Sequence, residues 1–478
     1  MQKNTSTPVQ TPVVQKGFTP RFPHALVLLF LVIVLAAALS YVIPAGQYER
    51  VVVDGKTTVN PESFTYIEQS PVGFFGIFRA IPNGLMGAGT IVFLILLVGG
   101  AVEVITETGA LKCGISSMVK RIGEKNRVFA LVALMFVLAV IGGWLGWIEA
   151  AIPFIPLTIA IVLALGYDSI TAVGVTVLGL VLGFAAGPTN MYTVGVAHGI
   201  AELPIFSGIG YRIIIWLSFV ALGIHRVISY AKMVEKNPER SLVKDVNVSD
   251  LKFDISGFKP DDFTGKHKLI LLTLVLSMVV ILFGMLKLKW SIMDMAALFV
   301  ITGIVTALIG KIPLNKMAEI FVRGASKVLI GAMIVGVARG IQWTLDQGLI
   351  IDTIIHSLAV VIGGLPPSLT AIGMFFVQMI INFFIPSGSG QAMAVMPIMI
   401  PLSDLVGVTR QTATLAFQLG DGFSNIFYFS FGTLMFFLSL GRVSYDKWVK
   451  FVWPVMWKGI LLSIIFVYIA SMINYGPF

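Results

Sequence analysis

Two carboxylates stand inside otherwise apolar stretches of this 478-residue chain. Glu149 belongs to Gly142-Gly-Trp-Leu-Gly-Trp-Ile-Glu-Ala150, and Asp421 to Gly420-Asp-Gly-Phe-Ser-Asn425. A charge at membrane depth costs at least a few kcal/mol, so an intramembrane acid defaults to a functional reading. Either acid can bind a cationic group, help hold Na+ or carry a proton. The structural alternative is an ion pair, or a carboxylate hydrogen-bonded to loop amides. Two more polar interruptions accompany them: Ala186-Gly-Pro-Thr-Asn190 and Asn382-Phe-Phe-Ile-Pro-Ser-Gly-Ser-Gly-Gln391. Breaks in helices leave N–H groups unpaired and a partial positive charge at helix N-termini, which suits a substrate carboxylate. The hydroxyls of Thr189, Ser387, Ser389 and Ser424, with exposed carbonyls, suit Na+ or a polar solute. Asn190, Gln391 and Asn425 donate and accept at once. The candidate substrate site is therefore Glu149, Thr189, Asn190, Ser387, Gly388, Ser389, Gly390, Gln391, Asp421, Ser424 and Asn425. Gly187, Asn190, Gly420 and Asn425 form a candidate Na+ set, and Na+ or H+ is the expected coupling ion; no other cofactor is expected.

Other polar residues read as structural. Glu103 and Glu107 lie near a span end and face the interface. Arg339 pairs with Asp346 two turns on, as scaffold. His198 is a polar helix end. Trp144 and Trp147 either stack on a substrate or pack. The glycines of 94–104 serve close helix packing. No HExxH, GxxxxGK[ST] or GxSxG is present, and Ser387-Gly-Ser-Gly390 does not satisfy the last. An enzyme or an ATP-driven pump is not expected.

The elements that must position these residues follow from composition. The chain is 57% hydrophobic and 12% charged, about half the usual charged fraction of soluble domains. It reads as an all-α polytopic membrane protein. The net charge of +9 reflects Lys- and Arg-rich cytoplasmic loops rather than nucleic-acid binding. A single cysteine, Cys113, excludes an intramolecular disulfide. The first apolar run, 25–44, is long enough for a retained span and too long for a signal-peptide core.

The pattern predicts about nine spans and two re-entrant hairpins. The hairpins have arms 128–141 and 152–165, and 368–381 and 392–405. Two spans are unwound at their centres, at 186–190 and at 420–425. Residues 71–85 and 346–367 read as amphipathic, and 311–326 as an interfacial helix preceding a span at 328–345. The chain then divides into a cytoplasmic tail (1–24), a first span with an external loop (25–84), a first repeat with a cytoplasm-side hairpin (85–230), a cytoplasmic linker (231–268), linking spans (269–326), and a second repeat with an outside-facing hairpin (327–478). Asp54-Gly55 marks a turn in the external loop. With the amino terminus inside, loops 112–127, 226–268, 311–327 and 442–450 are cytoplasmic and basic. Segment 346–367 and the carboxyl terminus fall outside and carry no Lys or Arg. The two halves then have opposite orientation, an inverted repeat with broken helices at matching places. A faint echo accompanies it: Glu149-Ala and Gln391-Ala, Leu165-Gly-Tyr-Asp-Ser-Ile-Thr171 and Val406-Gly-Val-Thr-Arg-Gln-Thr412, Thr189-Asn190 and Ser424-Asn425.

The chain resembles the four-carbon dicarboxylate anaerobic carrier family, in its YfcC-like (DcuC-like) branch. The resemblance is carried by Gly166-Tyr-Asp-Ser-Ile-Thr171, Gly183-Phe-Ala with Asn190, Val196-Ala-His-Gly-Ile-Ala201, Ser207-Gly, Arg212 and Lys236-Asn-Pro238. In the second half it is carried by Asn382-Phe-Phe, Ser387-Gly-Ser-Gly-Gln391, Asp404-Leu-Val-Gly-Val-Thr-Arg-Gln411 and Leu415-Ala-Phe-Gln-Leu-Gly-Asp-Gly-Phe-Ser424. The resemblance implies the ion transporter superfamily and a multi-pass protein of the bacterial inner membrane. It further implies a homodimer, with a scaffold and a mobile elevator domain that moves a small-molecule substrate between two hairpins with Na+ or H+ coupling. One departure stands out. Relatives often carry Pro-Thr-Ser after the Asp421 loop, and this chain has Phe429-Ser-Phe431. Members of the family are assigned either to dicarboxylates or to basic amino-acid exchange. Two acids in the breaks, with no Lys or Arg there, favour a solute bearing a positive group. The expectation is a secondary carrier of a small carboxylate-bearing solute, leaning to amino acids, by symport or antiport. A dicarboxylate carrier is the alternative, followed by a channel-like pore and a membrane-embedded enzyme using Glu149 and Asp421 as a pair.

Overall fold

The computed structural model describes residues 23–53, 56–249, 251 and 262–476. The Asp54-Gly55 turn, residues 1–22 of the expected tail, and residues 250 and 252–261 of the expected linker lie outside the described residues. The chain begins with α1 (Ala25–Val42). Two small antiparallel pairs follow, β1 (Gly46–Gln47) with β4 (Thr65–Tyr66), and β2 (Arg50–Val53) with β3 (Lys56–Val59). Then come α2 (Phe74–Gly87), α3 (Gly89–Glu107), α4 (Ala110–Ile122), α5 (Arg127–Trp144), α6 (Ile155–Ala164), α7 (Ser169–Ala185), α8 (Val196–Ile200) and α9 (Ile209–Lys236). The later half has α10 (Gly265–Lys287), α11 (Ile292–Gly310), α12 (Leu314–Gln347), α13 (Ile351–Gly363), α14 (Pro367–Phe384), α15 (Gly388–Val406), α16 (Arg410–Ser424), α17 (Gly432–Leu440) and α18 (Tyr445–Met472).

Ten of the described helices are long and apolar enough to cross a membrane. Three of these, α5, α14 and α15, are arms of the two sequence-predicted hairpins. Helix ends are set locally. Asp168 caps α7 by accepting from Thr171 N at 3.0 Å, and Ser291 and Asp294 form a capping box at α11.

The segment expected as an interfacial helix followed by a span is one helix, α12, of 34 residues. No proline interrupts it, and its glycines admit neighbours. A Cβ on Gly324 would lie 3.0 Å from Gly100 Cα of α3, and one on Gly340 would lie 2.6 Å from the Ala80 carbonyl of α2. The glycines of α3 therefore serve helix packing as expected. Helices α1, α2, α3 and α17 pack on α12, and α11 packs on α3, whereas α5, α7, α9, α14, α16 and α18 pack among themselves.

The first hairpin follows the sequence reading. After α5 the chain turns through Leu145–Ile148 and resumes as a 3-10 turn over Glu149–Phe154 before α6. In the second hairpin α14 persists to Phe384 and α15 starts at Gly388. The expected island 382–391 therefore shrinks to Ile385, Pro386 and Ser387. Gly388, Ser389 and Gly390 form the first turn of α15 and Gln391 lies within it. The first broken span unwinds over 186–190, as expected, and rewinds through a π-turn at Met191–Gly195.

The second break is displaced from its expected place. Gly420–Ser424 is helical, and the chain unwinds over 425–431, at the Phe429-Ser-Phe431 stretch. Gly420 and Gly422 are packing glycines, not unwinding ones. A Cβ on Gly420 would lie 2.6 Å from the Phe375 carbonyl, and Gly422 faces Ala185 Cα of α7. Freed carbonyls past Ser424 find side-chain donors instead: Trp448 Nε1 donates to Ile426 O at 2.8 Å and Tyr445 Oη to Phe427 O at 2.5 Å. Unwound backbone at membrane depth survives only with such partners.

Candidate functional site

Three of the breaks, and the π-turn that follows the fourth, reach one cavity of about 300 Å³. Glu149 and Gly146 come from the first hairpin tip, Tyr192 from the π-turn, Ser387, Gly388 and Ser389 from the second tip, and Asn425, Ser430 and Thr433 from the second broken span. The opposite wall is α12, through Arg339 and Gln342. The cavity thus lies at the seam between the two sets of helices.

Its polarity is mixed. Glu149 makes no side-chain ion pair among the described residues and lines the cavity. Arg339 is exposed to it and likewise has no ion pair among the described residues. Contrary to the expected pairing, Arg339 and Asp346 make no contact ion pair among the described residues and line different cavities, although the Arg339 charge still reaches Asp346. Asp346 faces a second cavity of about 290 Å³ with Arg50, Asp352 and Gly390. Gln342 borders both cavities. There Arg50 bridges Asp352 at 3.0 Å, and Tyr48, in the loop after α1, donates its main-chain N–H to Asp352 at 3.0 Å. Burial, and then the Asp352 charge, push the Tyr48 phenol up to about 12. In the first cavity Ser387 caps α15, its Oγ accepting from Gly390 N at 3.4 Å. The N–H groups of that first turn are among those a helix leaves without an intrahelical acceptor, and they carry partial positive charge toward the cavity.

Several expected site residues lie elsewhere. Thr189 donates to the Trp144 carbonyl at 2.8 Å and does not line the cavity. Asn190 is buried and wholly engaged. Its amide donates to Phe184 O at 3.1 Å, and its Oδ1 accepts from the N–H groups of Tyr192 and Thr193. It caps the π-turn, which is a structural role. Within the Na+ set, the Gly187 carbonyl accepts from Gln418 Nε2 at 2.7 Å and the Gly420 carbonyl from Ser424 Oγ at 2.8 Å. Asn425 Oδ1 accepts from Asn382 Nδ2 at 2.9 Å. Gly390 lines the second cavity, and Gln391, Asp421 and Ser424 are buried behind the first.

Sequence reasoning missed Arg339, Tyr192 and Gln342 as cavity residues. It also missed the role of Arg212. This guanidinium is buried and bonded to Gln418 Oε1, to Thr414 Oγ1 at 3.1 Å and to His198 Nε2 at 3.3 Å. Gln418 in turn holds the Gly187 carbonyl, so Arg212 fixes the first break against α16. The signal was an Arg four residues into an apolar span with no acid beside it. His198 is not only a polar helix end but a buried member of this network. Glu103 and Glu107 do not simply face the interface, since they bind Arg323 and Lys327 of α12 at 2.6–3.1 Å. Trp147 is buried, and Trp144 packs edge-on to Trp216 at 6.1 Å, so both are packing residues outside the cavity.

Two relatives cover nearly the whole chain. YfcC of Escherichia coli K12, provisionally described as a basic amino acid antiporter, is 34% identical across 90% of this chain and 92% of its own. An uncharacterised protein of Haemophilus influenzae Rd is 29% identical across 94% and 96%. Among solved structures, the Alcanivorax borkumensis YdaH transporter aligns over 95% of this chain and 100% of its own at 15% identity and a TM-score of 0.43. Neisseria gonorrhoeae MtrF, of a class of antimetabolite efflux pumps, aligns over 95% and 96% at 17% identity and a TM-score of 0.45. The chain is a multi-pass membrane transporter and not an enzyme, and with residues 22–472 matching the family model it belongs to the DcuC, or C4-dicarboxylate anaerobic carrier, family.

Proposed function

We propose that the chain is a secondary active carrier of an amino acid, working by an elevator movement and coupled to an ion gradient or to antiport. The observation that carries this is the cavity wall. One acid, Glu149, one base, Arg339, and the first turn of α15 line the same space. A zwitterion matches that set. Its carboxylate meets Arg339 and the α15 N–H groups, and its ammonium meets Glu149. A solute of amino-acid size fits a cavity of about 300 Å³. A basic side chain would require a second anionic contact, and Asp346 across Gln342 offers one. The likeness to YfcC points the same way.

The elevator reading is supported by the seam. Helices α1, α2 and α3 gather on α12 and α11 on α3, α5, α7, α9, α14, α16 and α18 gather on one another, and α17, the second half of the second broken span, packs on α12 across the seam. We assign the first set to a scaffold and the second to the moving domain, in two oppositely oriented repeats of a homodimer. A dicarboxylate carrier is the second reading. It is favoured by Arg339 and the α15 terminus as two separate anion-binding features, and by the family name.

Counterflow in proteoliposomes separates the two. Radiolabelled arginine, a neutral amino acid and succinate are compared, with Glu149→Gln tested alongside. Amino-acid exchange that Glu149→Gln abolishes is expected. Succinate exchange insensitive to Glu149→Gln selects the second reading, and no saturable counterflow of any of the three rejects both.

A further inference from the structure

We infer that the groove between the end of α4 and the start of α5 docks an anionic phospholipid, its phosphate on Arg121 and Lys125 and one acyl chain in the groove below. As a requirement for exchange this rests on the carrier reading above; lipid binding itself does not. The groove has a volume of about 560 Å³ and is lined by Met118 and Ile122 of α4, Phe129, Ala133 and Val137 of α5, and Ile161 of α6. Asn126 is its one polar lining residue. Phe129, Ala133 and Val137 recur every four residues and so share one stripe of α5. The small side chain of Ala133 leaves room between its two larger neighbours. Phe129 and Val137 are exposed, whereas α5 packs on α7 with its other side, so the groove opens away from the helix bundle.

The rim of the groove is basic. Between Thr108 and Ile148 the chain carries Lys112, Lys120, Arg121, Lys125 and Arg127, and Glu124 is the one acid. Glu124 is already bonded to Arg127 at 3.1 Å. Arg121 and Lys125 are exposed, and neither makes an ion pair among the described residues. Each is the chain neighbour of a groove residue, Ile122 and Asn126, so both charges stand where the groove meets the start of α5. That helix begins without a side-chain cap, and its first N–H groups add partial positive charge at the same end. Helix α4 buries Leu111, Ile115 and Val119 and exposes Lys112, Lys120 and Arg121, the pattern of a helix lying at a membrane surface. Basic residues beside a span are expected on orientation grounds alone, but that rule asks for no apolar groove beneath them. A free phosphate would meet the cations and leave the groove empty, and a neutral lipid would fill the groove and leave the cations unmet. An anionic phospholipid uses both. Helix α4 also joins α3, which packs on α12, to α5, which packs on α7, so the lipid sits where the two sets of helices are linked.

The test uses the full chain in detergent, with phosphatidylglycerol, phosphatidylcholine and glycerol phosphate as the probes. Retained lipid is counted by native mass spectrometry, and unfolding is followed on heating. Wild type is expected to retain phosphatidylglycerol saturably, to unfold a few degrees higher with it, and to respond to neither of the other probes. The double variant Arg121→Gln with Lys125→Gln is expected to need about tenfold more phosphatidylglycerol or beyond for half the shift, since each cation near an anionic membrane surface contributes about fivefold. In phosphatidylcholine it should unfold with wild type. Ala133→Trp, which fills the groove and keeps both charges, is expected to lose the shift; if that variant does not fold, the charge variant decides. The inference is overturned by equal retention of the two lipids, by glycerol phosphate matching phosphatidylglycerol, or by either variant keeping wild-type half-saturation. Loss of a dimer rather than of lipid in Ala133→Trp would give the groove to a second copy and overturn it as well. Counterflow is then compared in phosphatidylcholine vesicles with and without phosphatidylglycerol. Lipid binding without counterflow in either would sink the carrier reading and leave this site standing; counterflow without any lipid selectivity would do the opposite.

Discussion

Asn382 Nδ2 donates to the main-chain carbonyl of Asp421 at 2.9 Å, tying the last turn before the second hairpin tip to the helix that precedes the second break. The same amide reaches Ser424 Oγ and Asn425 Oδ1, so one side chain serves three acceptors at the point where α16 ends. A buried acceptor stripped of its donor costs about 1–3 kcal/mol. Asn382→Ala is therefore expected to lower the unfolding temperature measurably and to slow counterflow. A variant with wild-type unfolding and wild-type exchange would show that the hairpin is held by apolar packing alone.

Arg339 lines the cavity, exposed and without an ion pair among the described residues. Its loss should leave the fold untouched and act on affinity. A charge-assisted hydrogen bond contributes about 1.5–3 kcal/mol, so Arg339→Gln is expected to raise the half-saturating solute concentration about tenfold or more. The unfolding temperature should stay unchanged. Arg339→Lys, which keeps the charge but not the planar fork, should fall between. Unaltered half-saturation in both variants would remove Arg339 from solute recognition.

Spans, hairpin arms and the first break were legible because each rests on a local signal: apolar length, Gly-Gly and Gly-Pro interruptions, basic loops. The second break was not. Gly420 and Gly422 read as unwinding residues, but the same residue type serves wherever backbones press together, and a sequence does not name the partner. Here the partners are Phe375 and Ala185. The continuity of α12 escaped for the converse reason, since a polar stretch with Lys316, Arg323 and Lys327 reads as interfacial although nothing in it breaks a helix. Arg339 was misassigned because a single span with polar residues does not reveal which face meets a cavity, and an acid two turns away offered a ready partner. Asp421 stood out as an acid in an apolar stretch, but its surroundings did not, because they come from three other elements.

Gly422 marks where the two broken spans touch, against Ala185 of α7. A branched side chain would force α16 off α7 and with it the network from Arg212 through Gln418 to Gly187. Overpacking of this kind typically costs about 1–3 kcal/mol, occasionally more. Gly422→Val is expected to unfold several degrees earlier and to lose exchange. Gly364→Val, at a position where an added Cβ would meet nothing within 4 Å, should do neither. Equal behaviour of the two would mean that the crossing is not close-packed in the membrane.

The proposed opposite orientation of the two repeats would make the hairpins approachable from opposite sides, and cysteine labelling tests it directly. The native thiol, Cys113, is buried and is first removed as Cys113→Ser. Lys125→Cys then reports the start of α5, an exposed position in a basic stretch with Lys120, Arg121 and Arg127. Gly364→Cys reports the turn before α14, in a segment without Lys or Arg. Because basic loops stay cytoplasmic, a membrane-impermeant maleimide added to intact cells is expected to label Gly364→Cys at once and Lys125→Cys only after permeabilisation. Labelling of both from the same side would put both hairpins on one face of the membrane. An elevator moving a solute between them would then have no second opening, and the assignment of α12 as the fixed wall would fall with it.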